Sequence, residues 1–193
     1  NTAEAMTTAT TIGTIDLQEG DIQFDYNTDW TNGDVIVTAS VANSTINLEG
    51  FNLYIGTSLE DCTTLGTTGI TMHENGTVIA VLKNIHNQYG SAATTTLQNI
   101  ERTQPVVGDI TTTTNTVTVS ATDTAGANEY ASGVAKYALT ESSSTPDVSL
   151  YQQSNVFTGK AQGTTYYAWA IDNAGNISSG KDITTGTVTG LRN

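Results

Sequence analysis

The chain has 193 residues, 37% hydrophobic and only 13% charged, with 19 acidic against 6 basic residues and a formal net charge of -13. That charge repels the nucleic acid backbone and anionic lipid and attracts divalent cations, so nucleic acid is excluded as a general partner. A single cysteine, Cys62, rules out an intramolecular disulfide and a cysteine zinc cluster, and no run approaches the roughly 20 apolar residues of a membrane helix, so no membrane insertion is expected within this chain.

Residues 1–20 are threonine-rich and weakly patterned and read as an opening strand, a linker or a flexible end. Ile22, Phe24 and Tyr26 then alternate. Asp34 to Val41 sets Val35, Val37, Ala39 and Val41 on one face, and Gly50 to Gly56 alternates Phe51, Leu53 and Ile55. Thr77 to Leu82 follows Asn75-Gly76, a dipeptide suited to a tight hairpin. The segment Ile100-Glu101-Arg102-Thr103-Gln104-Pro105 ends this half, its proline fixing the backbone before the next begins.

Thr116 to Ala121, Val134 to Leu139, the aromatic Thr164 to Ile171 and a closing Ile183 to Leu191 are the strands of the second half. Helical periodicity is nearly absent. The chain is therefore expected to be all-β, as two tandem antiparallel β-sandwiches: an N-terminal segment 1–20, a module 21–104 and a module 105–193. It starts without methionine, which reads as a processed product or fragment whose export signal or anchor lies outside it.

The halves repeat a short pattern. Asn32-Gly33-Asp34-Val35-Ile36-Val37-Thr38-Ala39 and Thr114-Asn115-Thr116-Val117-Thr118-Val119-Ser120-Ala121 each place an asparagine turn before a Val-x-Val-[Ser/Thr]-Ala strand. Asp29-Trp30-Thr31-Asn32-Gly33-Asp34-Val35-Ile36-Val37-Thr38, with Asn75-Gly76-Thr77 and the Ile100 to Pro105 linker, resembles the repeats of Gram-positive surface proteins. Ala131-Ser132-Gly133-Val134 and Asp172-Asn173-Ala174-Gly175-Asn176 resemble the Ser-Gly-Val and Asp-x-Ala-Gly-Asn elements of bacterial immunoglobulin-like and fibronectin type III-like repeats. The resemblance implies immunoglobulin-like sandwiches and a place outside the cell or on its surface. The first half departs from it: Leu82 to Gly90 stands where the Asp-x-Ala-Gly-Asn turn is expected.

Asp123, Asp172 and Asn173, with Glu129 nearby in sequence, are expected to converge at one end of the second sandwich as oxygen ligands for calcium, or else to serve as turn residues. Tyr167 and Trp169 share one strand face, and the family pattern gives the core to Tyr166, Ala168 and Ala170. The first pair is then left outside to bind a sugar ring or protein partner, unless Trp169 packs beneath a loop. Lys83 and Lys136 are the strand-placed candidates for a lysine–asparagine cross-link, with ordinary surface lysines as the alternative.

His73 and His86 fall in no paired-ligand or triad spacing, and the acidic neighbours of Cys62 oppose a nucleophilic role. These features point away from an enzyme. They favour a structural or adhesive module pair that engages a protein or glycan ligand or neighbouring copies of itself. The alternatives are a filament or virion subunit assembled by insertion of the Thr7 to Thr14 strand, and a carbohydrate-binding accessory module.

Overall fold

A computed structural model describes residues 17, 20–43 and 45–186. The described residues form thirteen strands in several antiparallel sheets, with one 3-10 turn at Val148–Leu150. The first seven are β1 (Ile22–Asp25), β2 (Val35–Val41), β3 (Phe51–Gly56), β4 (Thr64–Leu65), β5 (Ile70–Met72), β6 (Gly76–Asn84) and β7 (Tyr89–Leu97). They make a three-stranded sheet in the order β1-β2-β5 and a four-stranded sheet in the order β4-β3-β6-β7.

The other six are β8 (Val106–Thr112), β9 (Val117–Thr122), β10 (Val134–Thr140), β11 (Val156–Phe157), β12 (Thr165–Asp172) and β13 (Lys181–Thr184). They repeat the same connectivity as sheets β11-β9-β8 and β10-β12-β13. In the first set the first, second and fifth strands share one sheet, in the second set the first, second and fourth, and the remaining strands of each set form the other sheet, which is the immunoglobulin-like sandwich. The second set differs in having no counterpart to β4 among the described residues.

Strand membership does not coincide with compactness. One compact unit holds Val37–Ile70 and Thr77–Thr95 together with the described residues up to Asp25, whereas the other takes Tyr26–Ile36, Thr71–Gly76 and everything from Thr96 on. Hydrogen bonds inside the second unit explain the grouping. Thr31 N–H donates to the Asn99 carbonyl at 3.0 Å, and Glu101 N–H donates to the Thr31 carbonyl at 2.9 Å.

Alternation places the cores where the sequence puts them. Val35, Val37 and Ala39 of β2 are buried, as are Val117 and Val119 of β9. In the second sandwich Val107, Val117, Val119 and Phe157 meet Ala168 and Ala170 of β12. The expected hairpin at Asn75-Gly76 is not formed. β5 pairs within one sheet and β6 within the other, so this dipeptide crosses between sheets. Asn75 acts as a clamp instead: its side chain accepts from Ile100 N–H at 2.9 Å and donates to the carbonyls of Ile100 at 2.7 Å and Asn128 at 3.1 Å.

Candidate functional site: an acidic cluster at the end of the second core

Parity brings two carboxylates to one place. Along β9 the inward residues are Val117 and Val119, with Ala121 packed against the same core, so Asp123 is the next residue of that row. Along β12 the inward residues are Tyr166, Ala168 and Ala170, and Asp172 continues them, only 3% exposed. A third carboxylate joins from the segment before β8. Glu101, fully buried, lies with Asp123 and Asp172 so that one oxygen from each falls within 4.8 Å of the others.

Backbone and amide donors satisfy part of this charge. Ser132 N–H donates to Glu101 Oε2 and Gly133 N–H to Asp123 Oδ2, each at 2.7 Å. Asn176 gives its backbone N–H to Asp172 Oδ1 and its side-chain amide to Asp172 Oδ2, both at 2.8 Å, and the same amide reaches the Glu101 carbonyl at 3.0 Å. Glu101 Oε1 and Asp123 Oδ1 are buried with no hydrogen-bond partner. Arg102, the nearest base in sequence, turns away: its guanidinium pairs with Asp34 Oδ1 at 2.7 Å and donates to the His73 carbonyl.

Two like charges less than 5 Å apart repel by about 3 kcal/mol at an effective dielectric of roughly 20, so three ionised groups here are costly without a proton or a cation. Burial raises Glu101 above the usual carboxylate range; the Ser132 donors oppose this, while the charges of Asp123 and Asp172 add to it. Burial likewise raises Asp172, against the Asn176 donors and with help from Asp123. Glu129, expected near the cluster, serves a different end. Burial opposes its ionisation, but Thr103 Oγ1–H and the N–H groups of Arg102, Gly126 and Thr103 hold it below its ordinary value.

Asn173 shares the corner but has another task. Its side-chain amide donates to the carbonyls of Ser132 at 2.8 Å and Gly133 at 3.0 Å, fixing the loop whose N–H groups face Glu101 and Asp123. Glu101 is the residue that sequence reasoning missed, because the proline boundary assigns it to the preceding module. Its only signal in the sequence is an acid placed four residues before Pro105.

The expected exposed aromatic pair is corrected at Trp169. The residue does lie on the outer face of β12, but it is 3% exposed, packed with Ala138 and Tyr151 and flanked by Tyr167, Ile171 and Ile177. The β10–β11 connection covers this face, and the indole N–H donates to Thr140 Oγ1 at 3.0 Å. Tyr167 is half-buried beside it. Burial, the largest cause, raises the Cys62 thiol; Lys83 opposes and Asp61 adds. Lys83 is buried, with its ammonium donating to the Cys62 carbonyl and lying 5.0 Å from the Tyr89 ring centre, whereas Lys136 is exposed. His73 pairs with Asp34 at the surface, and His86 is exposed.

The first sandwich carries the same turn in different residues. Asn84 and Asp172 both end the penultimate strand of their sandwich, and both accept the backbone N–H four residues on, from Gln88 at 3.0 Å and from Asn176 at 2.8 Å. The third residue after each is left-handed, Asn87 with φ 58° and Gly175 with φ 92°. The turn is therefore kept, contrary to the expectation that Leu82 to Gly90 replaces it; what is lost is the acid. In the register of the repeated Val-x-Val strands, Asp123 corresponds to Val41, so the first sandwich has neither carboxylate.

No protein-family model matches the chain, and no curated protein matches it. Among solved structures, the chain is similar to the chicken CNTN1 FN1-FN3 domains at 14% identity and TM-score 0.36, covering 84% of this chain and 66% of that one. The fibronectin(III)-like modules of Clostridium thermocellum CbhA align at 14% identity and TM-score 0.35, over 89% and 98%. Three N-terminal domains of the bacteriophage RB49 outer capsid protein Hoc align at 10% identity and TM-score 0.44, over 86% and 57%. The strand order described above, rather than these alignments, defines the class as tandem immunoglobulin-like sandwiches.

Proposed function

We propose that the chain is a non-catalytic, extracellular structural and adhesive module pair of a microbial surface protein. The observation that carries this reading is the use of one sandwich connectivity twice in succession. Such modules bury their apolar residues between two sheets and leave loops and outer faces free for a protein or glycan ligand or a neighbouring copy. The strongly acidic, threonine-rich composition suits a surface that stays hydrated and repels its like. Protease shaving of intact source cells is expected to release peptides of this chain before cytoplasmic markers appear. Recovery only after lysis counts against the reading, as does turnover in a broad hydrolase screen.

A second reading, subunit assembly by strand addition, has one observation in its favour. Among the described residues β1 and β7 stand last in their sheets, and a groove of about 620 Å³ is lined by Ile22 and Phe24 from β1 and by Ser91 to Thr94 from β7. Leu17 also lines it, donating its N–H to Ser91 Oγ at 3.1 Å. An incoming strand adds to a sheet through backbone hydrogen bonds along its outermost strand. The segment Thr7 to Thr14 lies outside the described residues. Deleting residues 1–16 is expected to abolish polymers and leave a folded monomer; an unchanged polymer state rejects strand addition.

A further inference from the structure

We propose that Glu101, Asp123 and Asp172 form a calcium site at the end of the second sandwich's core, with Glu101 as the ligand that ties the segment before β8 to that core. The inference goes beyond the structural role proposed above and stands or falls separately from it.

Two observations carry it. Three carboxylates from three different elements bring one oxygen each within 4.8 Å of one another. Independently, Glu101 is fully buried with Oε1 lacking any partner, and Asp123 Oδ1 is buried without one as well. Calcium holds oxygen ligands at about 2.3–2.6 Å, so oxygens sharing one ion lie at most about 5 Å apart. The donor set is entirely oxygen and carries three negative charges, which selects a hard cation over zinc or copper. The existing hydrogen bonds leave the unpartnered oxygens available and orient the others: Ser132 and Gly133 each occupy one oxygen of Glu101 and Asp123, and Asn176 fixes Asp172. Water completes a shell of six to eight. The first sandwich, with Asn84 and Val41 at the matching positions, provides no such site, so one ion per chain is expected from this geometry.

The test uses the full 193-residue chain, stripped with EGTA and titrated calorimetrically with calcium chloride, with magnesium chloride as control. Thermal unfolding is followed in parallel. Expected are one tight calcium per chain and a rise in Tm on the order of 10 °C once free calcium exceeds Kd a hundredfold. In Glu101→Gln and Asp123→Asn, calcium affinity falls at least about tenfold, while the metal-free Tm holds or rises because a repelling charge is gone. Asp123→Asn, at a half-exposed position, provides the second variant should Glu101→Gln fail to fold. The absence of both heat and a Tm shift up to about 10 mM calcium, beyond the range of extracellular modules, overturns the proposal. So does a calcium response that both variants leave intact, which places the ion elsewhere on the acidic surface.

Discussion

The side-chain amide of Asn176 joins Asp172 to Glu101: it donates to Asp172 Oδ2 at 2.8 Å and to the Glu101 carbonyl at 3.0 Å, while being only 7% exposed itself. One residue thus links the last turn of the second sandwich to the segment that precedes its first strand. Asn176→Ala removes both bonds and leaves a buried carboxylate oxygen and a buried carbonyl unpaired. Bonds to charged groups contribute about 1.5–3 kcal/mol, so a loss of about 2–3 kcal/mol is expected in urea unfolding. Gln88→Ala, at the equivalent position of the first sandwich, is exposed and is expected to cost less.

The acid cluster also sets a pH dependence in calcium-free buffer. Glu101 and Asp172 have folded pKa values raised by burial above their ordinary 4.5 and 3.8. The folded state therefore holds these protons more tightly, and stability rises as pH falls through the folded values towards the unfolded ones. Glu129 has the opposite sign: held low by its hydrogen bonds, it contributes above its unfolded value and that contribution is lost as pH falls through its folded value. Calcium-free chain is expected to unfold at a higher urea midpoint near pH 5 than near pH 7.5. Glu101→Gln flattens that slope, and added calcium flattens or reverses it.

Trp169 is a packing residue in the structure, and stability is where its removal is expected to register. Trp169→Ala empties a cluster shared with Ala138 and Tyr151 and is expected to cost about 3–5 kcal/mol. Gly180 packs closely on the same indole, since a Cβ there would stand 2.7 Å from indole carbons Cζ2 and Cη2. Gly180→Ala is expected to cost about 1–3 kcal/mol as overpacking, with a shift in tryptophan emission as the indole is displaced.

Module boundaries can be tested by truncation. A fragment beginning at residue 105 lacks Ile100, which is 1% exposed, and the fully buried Glu101. A fragment of residues 96–193 keeps both. The longer fragment is expected to be the more stable by chemical denaturation, and equal stability of the two would place residues 96–104 outside the folding unit.

Much of the architecture was legible in the sequence because a sandwich strand writes its core on every second residue. Val35, Val37 and Ala39, and Val117 and Val119, are buried as their alternation predicts, while Tyr166, Ala168 and Ala170 are buried on the face that the resemblance assigns to the core. The same parity carried Asp123 and Asp172 to the inner side of the second sandwich. Strands without that alternation escaped notice: β7 runs Tyr89–Leu97 through glycine, serine, alanine and threonine, and β4, β5 and β11 are two or three residues long.

Tertiary structure alone decided what surrounds the two aspartates. Glu101 enters the cluster only because Thr31, Asn75 and Asn176 hold its segment by backbone and amide bonds from distant parts of the chain. Local pattern cannot encode such long-range partners. Nor can it show that the β10–β11 connection folds over the outer face of β12, turning Trp169 from a surface aromatic into a buried one. Strand periodicity fixes which face a side chain takes, whereas the loops that close over that face decide whether it meets water, a proton or an ion.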